Sequence, residues 1–174
     1  MKRPEIVPYV EARANTGDSA VAGTYHTDIL TWSEQQAGLL RRVGAGEPIN
    51  DQVDWDHVVE EIEALGQYQV DQVRSWLMQA MLHMLKVKAF PNSLAVDHWK
   101  AEMRGFLDDA VDTYRPSMRL RIDVPWLYLR AVRRLPLTID GVKALPVERT
   151  CPPEITLDYL LALPRSLLEE EDQK

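Results

Sequence analysis

The sequence is poor in the features that usually announce a chemistry. It has one cysteine, Cys151, in 174 residues, which excludes an internal disulfide and gives no sign of an oxidising compartment. No apolar run approaches the roughly 20 residues needed to cross a bilayer. Lys2 and Arg3 stand near the N-terminus, but no apolar stretch follows to complete a signal peptide. A cytoplasmic protein without membrane association is therefore expected. The glycines form neither a G-x-G-x-x-G nor a P-loop pattern, so no nucleotide and no cofactor is expected. A C-x-x-C zinc spacing and a G-x-S-x-G nucleophile elbow are missing too.

What is present has the balance of a globular domain: 45% hydrophobic and 27% charged residues, enough to bury a core without metals or disulfides. The formal net charge of −7 opposes phosphate at long range, so nucleic-acid binding is not expected. The charge is also segregated. Between Asn50 and Gln72 stand seven acids and no Lys or Arg. Between Asp112 and Arg149 eight bases face four acids. Surfaces of opposite sign in one chain more often mate, internally or across a dimer, than serve separate ligands.

The hydrophobic period is helical nearly throughout, which predicts one all-α helical-bundle domain over 23–164, with about five helices. Residues 1–22 show no period and read as an irregular arm, and 165–174 as an acidic, solvated tail. Thr27 or Asp28 caps a first helix reaching Val43, closed by Gly44 and Gly46. Asp54 caps the next. Trp55, Val58, Val59, Ile62 and Leu65 form one stripe, continued in phase by Val73, Trp76, Leu77, Ala80, Met84 and Val87. This predicts a central helix of about 33 residues, roughly 50 Å long at 1.5 Å per residue, bent near Gly66 or projecting from a globule roughly 40 Å across. Met78, Met81, Leu82 and Leu85 make its second half apolar on the far side and hence buried. Ser93 caps a third helix whose Trp99, Met103, Phe106, Leu107 and Ala110 point inward. A fourth stretch starts at Pro116 and restarts at Pro125 behind the cap Asp123, with Trp126, Leu129, Val132 and Leu135 expected inside. Thr156 caps a short helix ending before Pro164. The one strand candidate, 139–147, has no obvious partner. All five tryptophans read as core.

Few residues have the spacing of a site. His57, Glu60 and Glu61 have metal-ligand spacing on a helix. The wheel, however, puts His57 and Glu60 at the centre of the polar face, which reads as solvated unless a dimer encloses it. His83 lies on the buried half of the long helix, where an imidazole needs a partner. It reads as a core histidine tied to a carbonyl or to an acid such as Asp28, or else as a general base with Lys86 nearby. Glu61 and His83 are roughly 33 Å apart along a straight helix. Cys151, with no His or Lys close by in sequence, is not expected to be nucleophilic.

Several stretches in order resemble the bacterial family known as domain of unknown function twenty-nine. They are Tyr25-His-Thr-Asp28-Ile-Leu-Thr-Trp32, Glu60-Glu-Ile-Glu-Ala-Leu-Gly66 and His83-Met-Leu-Lys86, then Trp99, Tyr128 with Arg130-Ala131, Cys151-Pro152 and Thr156-Leu157. The chain differs in having Val87 where an aromatic is usual and Pro125 inside the fourth helical stretch. The resemblance implies an all-helical fold and no established reaction. Three functional expectations follow from the residues. The first is a non-enzymatic interaction module, homodimeric or bound to another protein. The second is a metal-dependent or acid–base hydrolase using Tyr25, Asp28, Glu61, His83 and Lys86. The third is nucleic-acid binding through the Arg119–Arg134 face.

Overall fold

The computed structural model describes residues 24–171. The arm expected over 1–22 and the last three residues of the tail lie outside them. The described chain is all-α apart from one two-stranded hairpin: α1 (Ile29–Gly44), α2 (Trp55–Ala89), α3 (Val96–Thr113), α4 (Val124–Arg134), β1 (Thr138–Ile139), β2 (Val142–Lys143) and α5 (Leu157–Glu171). Short 3-10 segments, Asn50–Gln52 and Pro116–Arg121, precede α2 and α4. Among the described residues no helix is long and apolar enough to cross a membrane. The chain divides into two compact units, the first ending at Ala64 and the second beginning at Leu65. The division falls inside α2, which runs through Gly66 as one helix of 35 residues.

In the first unit, Asp28 caps α1 by accepting from the Thr31 backbone N–H at 3.0 Å and from its hydroxyl at 2.7 Å, which satisfies one of the orphan donors of the first turn. The C-terminus closes as a Schellman motif: Gly46 N–H reaches the Val43 carbonyl at 2.9 Å and Glu47 N–H that of Arg42 at 3.1 Å. Gly46 takes φ +88°, a left-handed conformation that only glycine adopts without strain. A small core of Trp32, Val53 and Val58, flanked by Tyr25, Leu39, Leu40 and Val43, joins α1 to the start of α2.

In the second unit the latter half of α2 is the central element, as its two-sided apolar pattern predicts. Val73, Leu77, Met78, Ala80, Met81 and Leu85 are all buried, together with Leu107 of α3, Leu127 of α4 and Leu160 of α5. Truncating a leucine sealed this completely costs roughly 2–5 kcal/mol.

Four local expectations are corrected. In α4 the buried residues are Val124, Leu127, Tyr128 and Ala131, whereas Trp126 and Leu129 are exposed. Asp123 does cap the helix, accepting from Trp126 N–H at 3.0 Å, and Pro125 fills its first turn, so the helix was placed correctly and its phase was not. The 139–147 segment finds its partner in itself, since Thr138 faces Lys143 and Ile139 faces Val142 across an antiparallel pair. The turn is Asp140-Gly141 with φ +48° and +79°, the backbone that a two-residue hairpin loop requires. Ser93 accepts from Ala95 N–H at 3.2 Å one residue before α3 begins, and so shapes the turn instead of capping the helix. Thr156 caps α5 through the Tyr159 N–H at 3.1 Å, but Pro164 lies inside that helix and does not end it.

Candidate functional site

The densest polar cluster in the first unit is built on Asp54, the residue before α2. Its backbone N–H donates to Oε1 of the buried Gln36 at 2.9 Å, which pins the helix start to α1. Its Oδ2 accepts from the indole N–H of the buried Trp32 at 3.1 Å and lies 2.7 Å from His57 Nδ1. An ionised carboxylate can only accept, so Nδ1 carries the proton in this contact. Burial pushes the Asp54 carboxyl up, but the hydrogen bonds from His57 and Trp32 outweigh it and hold the group below its ordinary value, as expected when donors favour the charged form.

Tyr25 completes the cluster. Its ring stacks on His57 with centroids 4.0 Å apart and packs edge-on to Trp32 at 4.9 Å. Its hydroxyl donates to Glu61 Oε1 at 2.7 Å. That bond, with burial, pushes the phenol up to about 12, so Tyr25 is a poor proton donor or base near neutrality.

This arrangement alters the reading of His57. The ring is not on an open polar face: Tyr25 lies over it and Asp54 holds it. Of the trio with metal-ligand spacing, His57 is bound to Asp54, Glu61 to Tyr25, and Glu60 is exposed. Among the described residues no group of three or more His, Cys, Asp or Glu is placed to hold a metal ion. Asp28 spends its carboxylate on Thr31, which holds its pKa low. Tyr25 and Glu61 thus converge, Asp28 is a helix cap, and His83 and Lys86 belong to the second unit.

His83 is buried, with 6% of its surface exposed. The acid beside it is Glu102 of α3, not Asp28: Nδ1 lies 3.3 Å from Oε2, a separation without hydrogen-bond geometry. His98, one turn before Glu102, approaches the same oxygen at 3.3 Å. Burial lowers the His83 pKa, Lys86 and His98 lower it further, and Glu102 opposes them. Lys86 lies over the Trp99 ring at 5.8 Å. Cys151 directs its thiol to the Pro152 and Ile155 carbonyls at 3.6 and 3.7 Å, and burial raises its pKa. Asp54, Trp32, Gln36 and Glu102 were not singled out from sequence as site residues. The i,i+3 pair Asp54–His57 and the i,i+4 pair His98–Glu102 were the available signals.

Two faces remain apolar and open. On α2 in the first unit, Val58 is buried, but Trp55, Val59 and Ile62 are 41%, 52% and 67% exposed. The stripe expected to be core is therefore solvent-facing, and exposed Asp56, Glu60 and Glu63 run along one side of it. On α4 in the second unit, Trp126 and Leu129 are 48% and 40% exposed, and Arg130 and Arg133 follow at the spacing that keeps them on the same face. The Arg130 guanidinium lies 4.7 Å over the Trp126 ring. Beside this face opens a groove of about 670 Å³, lined by Leu129, Val132, Leu137 and Leu145 with Arg133 and Arg149. Arg119, at the other end of the basic segment, is held by Asp158, with Nη1 to Oδ1 at 2.8 Å.

The fold is that of an α-helical protein. A crystal structure of an α-helical protein of unknown function from Rhodospirillum rubrum ATCC 11170 is similar to it, with a TM-score of 0.59 and 25% identity over 79% of this chain and 89% of that one. The model of the domain of unknown function DUF29 matches residues 24–159, and the chain belongs to that family. No curated protein matches it.

Proposed function

We propose that this chain is a protein-interaction module that works by self-association and not by catalysis. The observation that carries the reading is the open stripe Trp55, Val59 and Ile62 on the first half of α2. Burial of a large apolar side chain is worth about 1.5–3 kcal/mol, and contiguous exposed apolar surface rimmed by charge marks protein interfaces. The polar residues beneath the stripe are spent on fixing it: Gln36, Trp32 and Asp54 lock the start of the helix, and Tyr25 and Glu61 brace it a turn later. Fixing the start of the helix in this way suits recognition, because less backbone ordering is left for binding to supply. The reading takes the chain to be cytoplasmic, in keeping with its single unpaired cysteine.

The test is sedimentation velocity from about 1 to about 200 μM, the range of weak to moderate association. A concentration-dependent dimer is expected, and Ile62→Ser with Val59→Ser should shift it to monomer while helical content stays unchanged. A parent chain that is monomeric across the range overturns the reading. The Asp54–His57 pair is the one observation favouring an acid–base enzyme instead. A hydrolase screen in which activity disappears with His57→Ala, in a protein that still folds, would promote that alternative.

A further inference from the structure

Resting on self-association as proposed above, we infer that the α2 stripe of one protomer docks in the basic groove beside α4 of a second copy. Charge decides between the possible pairings. Stripe against stripe would set Asp56, Glu60 and Glu63 of one copy against the same three acids of the other. Groove against groove would oppose Arg133 and Arg149 to themselves. Like charges juxtaposed across an interface disfavour both arrangements. The crossed pairing is complementary in both respects. The stripe brings Trp55, Val59 and Ile62 flanked by carboxylates. The groove offers leucine and valine walls, two arginines and no acid among its lining residues. The exposed Trp126 and Leu129, with Arg130 and Arg133 at i+4 and i+7 from the tryptophan, extend the same apolar and basic surface along α4. The groove volume of about 670 Å³ lies in the size range of ligand-binding clefts.

In a two-fold dimer of this kind the contact is made twice, each copy giving its stripe to the other's groove. The apolar residues supply the adhesion. The carboxylate–arginine pairs at the rim set register and speed association, and salt screens them.

Charge reversal with mixing tests the inference by sedimentation equilibrium. Glu60→Arg with Glu63→Arg reverses the stripe, and Arg133→Glu with Arg149→Glu reverses the groove. Each variant alone should dimerise at least about tenfold more weakly than the parent, because both of its contacts then oppose like charges. An equimolar mixture should regain the parent affinity within about threefold, since one contact becomes Arg on Glu and the other is the parental contact. All four positions are exposed, so folding should survive, as far-UV circular dichroism would check. Should a variant misfold, the parent alone still tests the pairing: its dimer should weaken as salt rises from about 50 to about 500 mM. A dimer indifferent to salt and to both reversals, or variants that weaken without rescue on mixing, would overturn the crossed pairing and leave self-association standing. A parent that never dimerises would overturn both.

Discussion

Replacing Asp54 with alanine tests whether the polar cluster of the first unit holds the start of α2 in place. Three interactions disappear at once: the acceptor for the indole of buried Trp32 at 3.1 Å, the partner of His57 Nδ1 at 2.7 Å, and the acceptor for the His57 backbone N–H that caps the helix. A stranded buried donor costs about 1–3 kcal/mol and a lost N-cap about 1 kcal/mol. These share one carboxylate and do not simply add, so the expected loss is about 2–4 kcal/mol. Asp54→Asn retains an acceptor and should lose about half of that. Because the chain divides into two units, a single unfolding transition is not assured. Native-state hydrogen exchange of the α1 amides therefore reads the first unit directly. Trp32→Phe added to Asp54→Ala should cost less than the two single changes together, because it removes the donor that the first change strands. The sign of the pH effect follows from the depressed carboxyl. Its contribution is complete above the ordinary value of 3.8 and is lost as pH falls through the lower folded value. Exchange in α1 that rises by less than the equivalent of about 0.5 kcal/mol in Asp54→Ala, or strict additivity with Trp32→Phe, would refute the reasoning.

Further outcomes are expected at His83 and at the glycines that close α1. His83→Ala should destabilise the second unit by about 1–3 kcal/mol through lost packing, read as a lower thermal midpoint. The parent should also lose stability as pH falls below 6.5, because the unfolded imidazole takes up a proton that burial withholds from the folded one, and that slope should flatten in the variant. Gly46→Ala, at φ +88°, should cost about 1 kcal/mol in urea denaturation, whereas Gly44→Ala, in the last turn of α1 with open space around its Cα, should be neutral or stabilising.

What could be read from the sequence was local. Asp28, Asp123 and Thr156 are caps because a short polar side chain meets an N–H three residues on, a relation that no distant contact need supply. The buried half of α2 was legible because apolar residues occupied both sides of it. The phase of α4 was not. Val124, Trp126, Leu127, Tyr128 and Leu129 are nearly continuous, and the weight of the tryptophan favoured the wrong side of an 11-residue helix. The α2 stripe was drawn correctly, but amphipathic periodicity says which side is apolar and not whether another element covers it. His57 fails in the opposite sense. A wheel drawn on α2 alone makes it solvated, whereas Tyr25, 32 positions earlier in the chain, stacks on it and the rings of His26 and Trp32 meet it edge-on. The hairpin was missed although Asp140-Gly141 is a strong turn signal, because flanking strands of two residues each leave no alternation to see.

Between the cores of the two units, no residue of α2 from Val59 to Gln69 is buried. Tertiary packing, which gives most helices in proteins their stability, is thin along these three turns. They depend on the helix preference of Glu, Ala, Leu and Gln, against which Gly66 costs about 1 kcal/mol relative to alanine. Here the helix can melt for a moment while both of its anchored ends persist, and such openings are what a protease requires. A brief digest should therefore cut first near Gly66 and release fragments that remain folded, and a partner bound along the stripe would slow that cut before altering any other property of the chain.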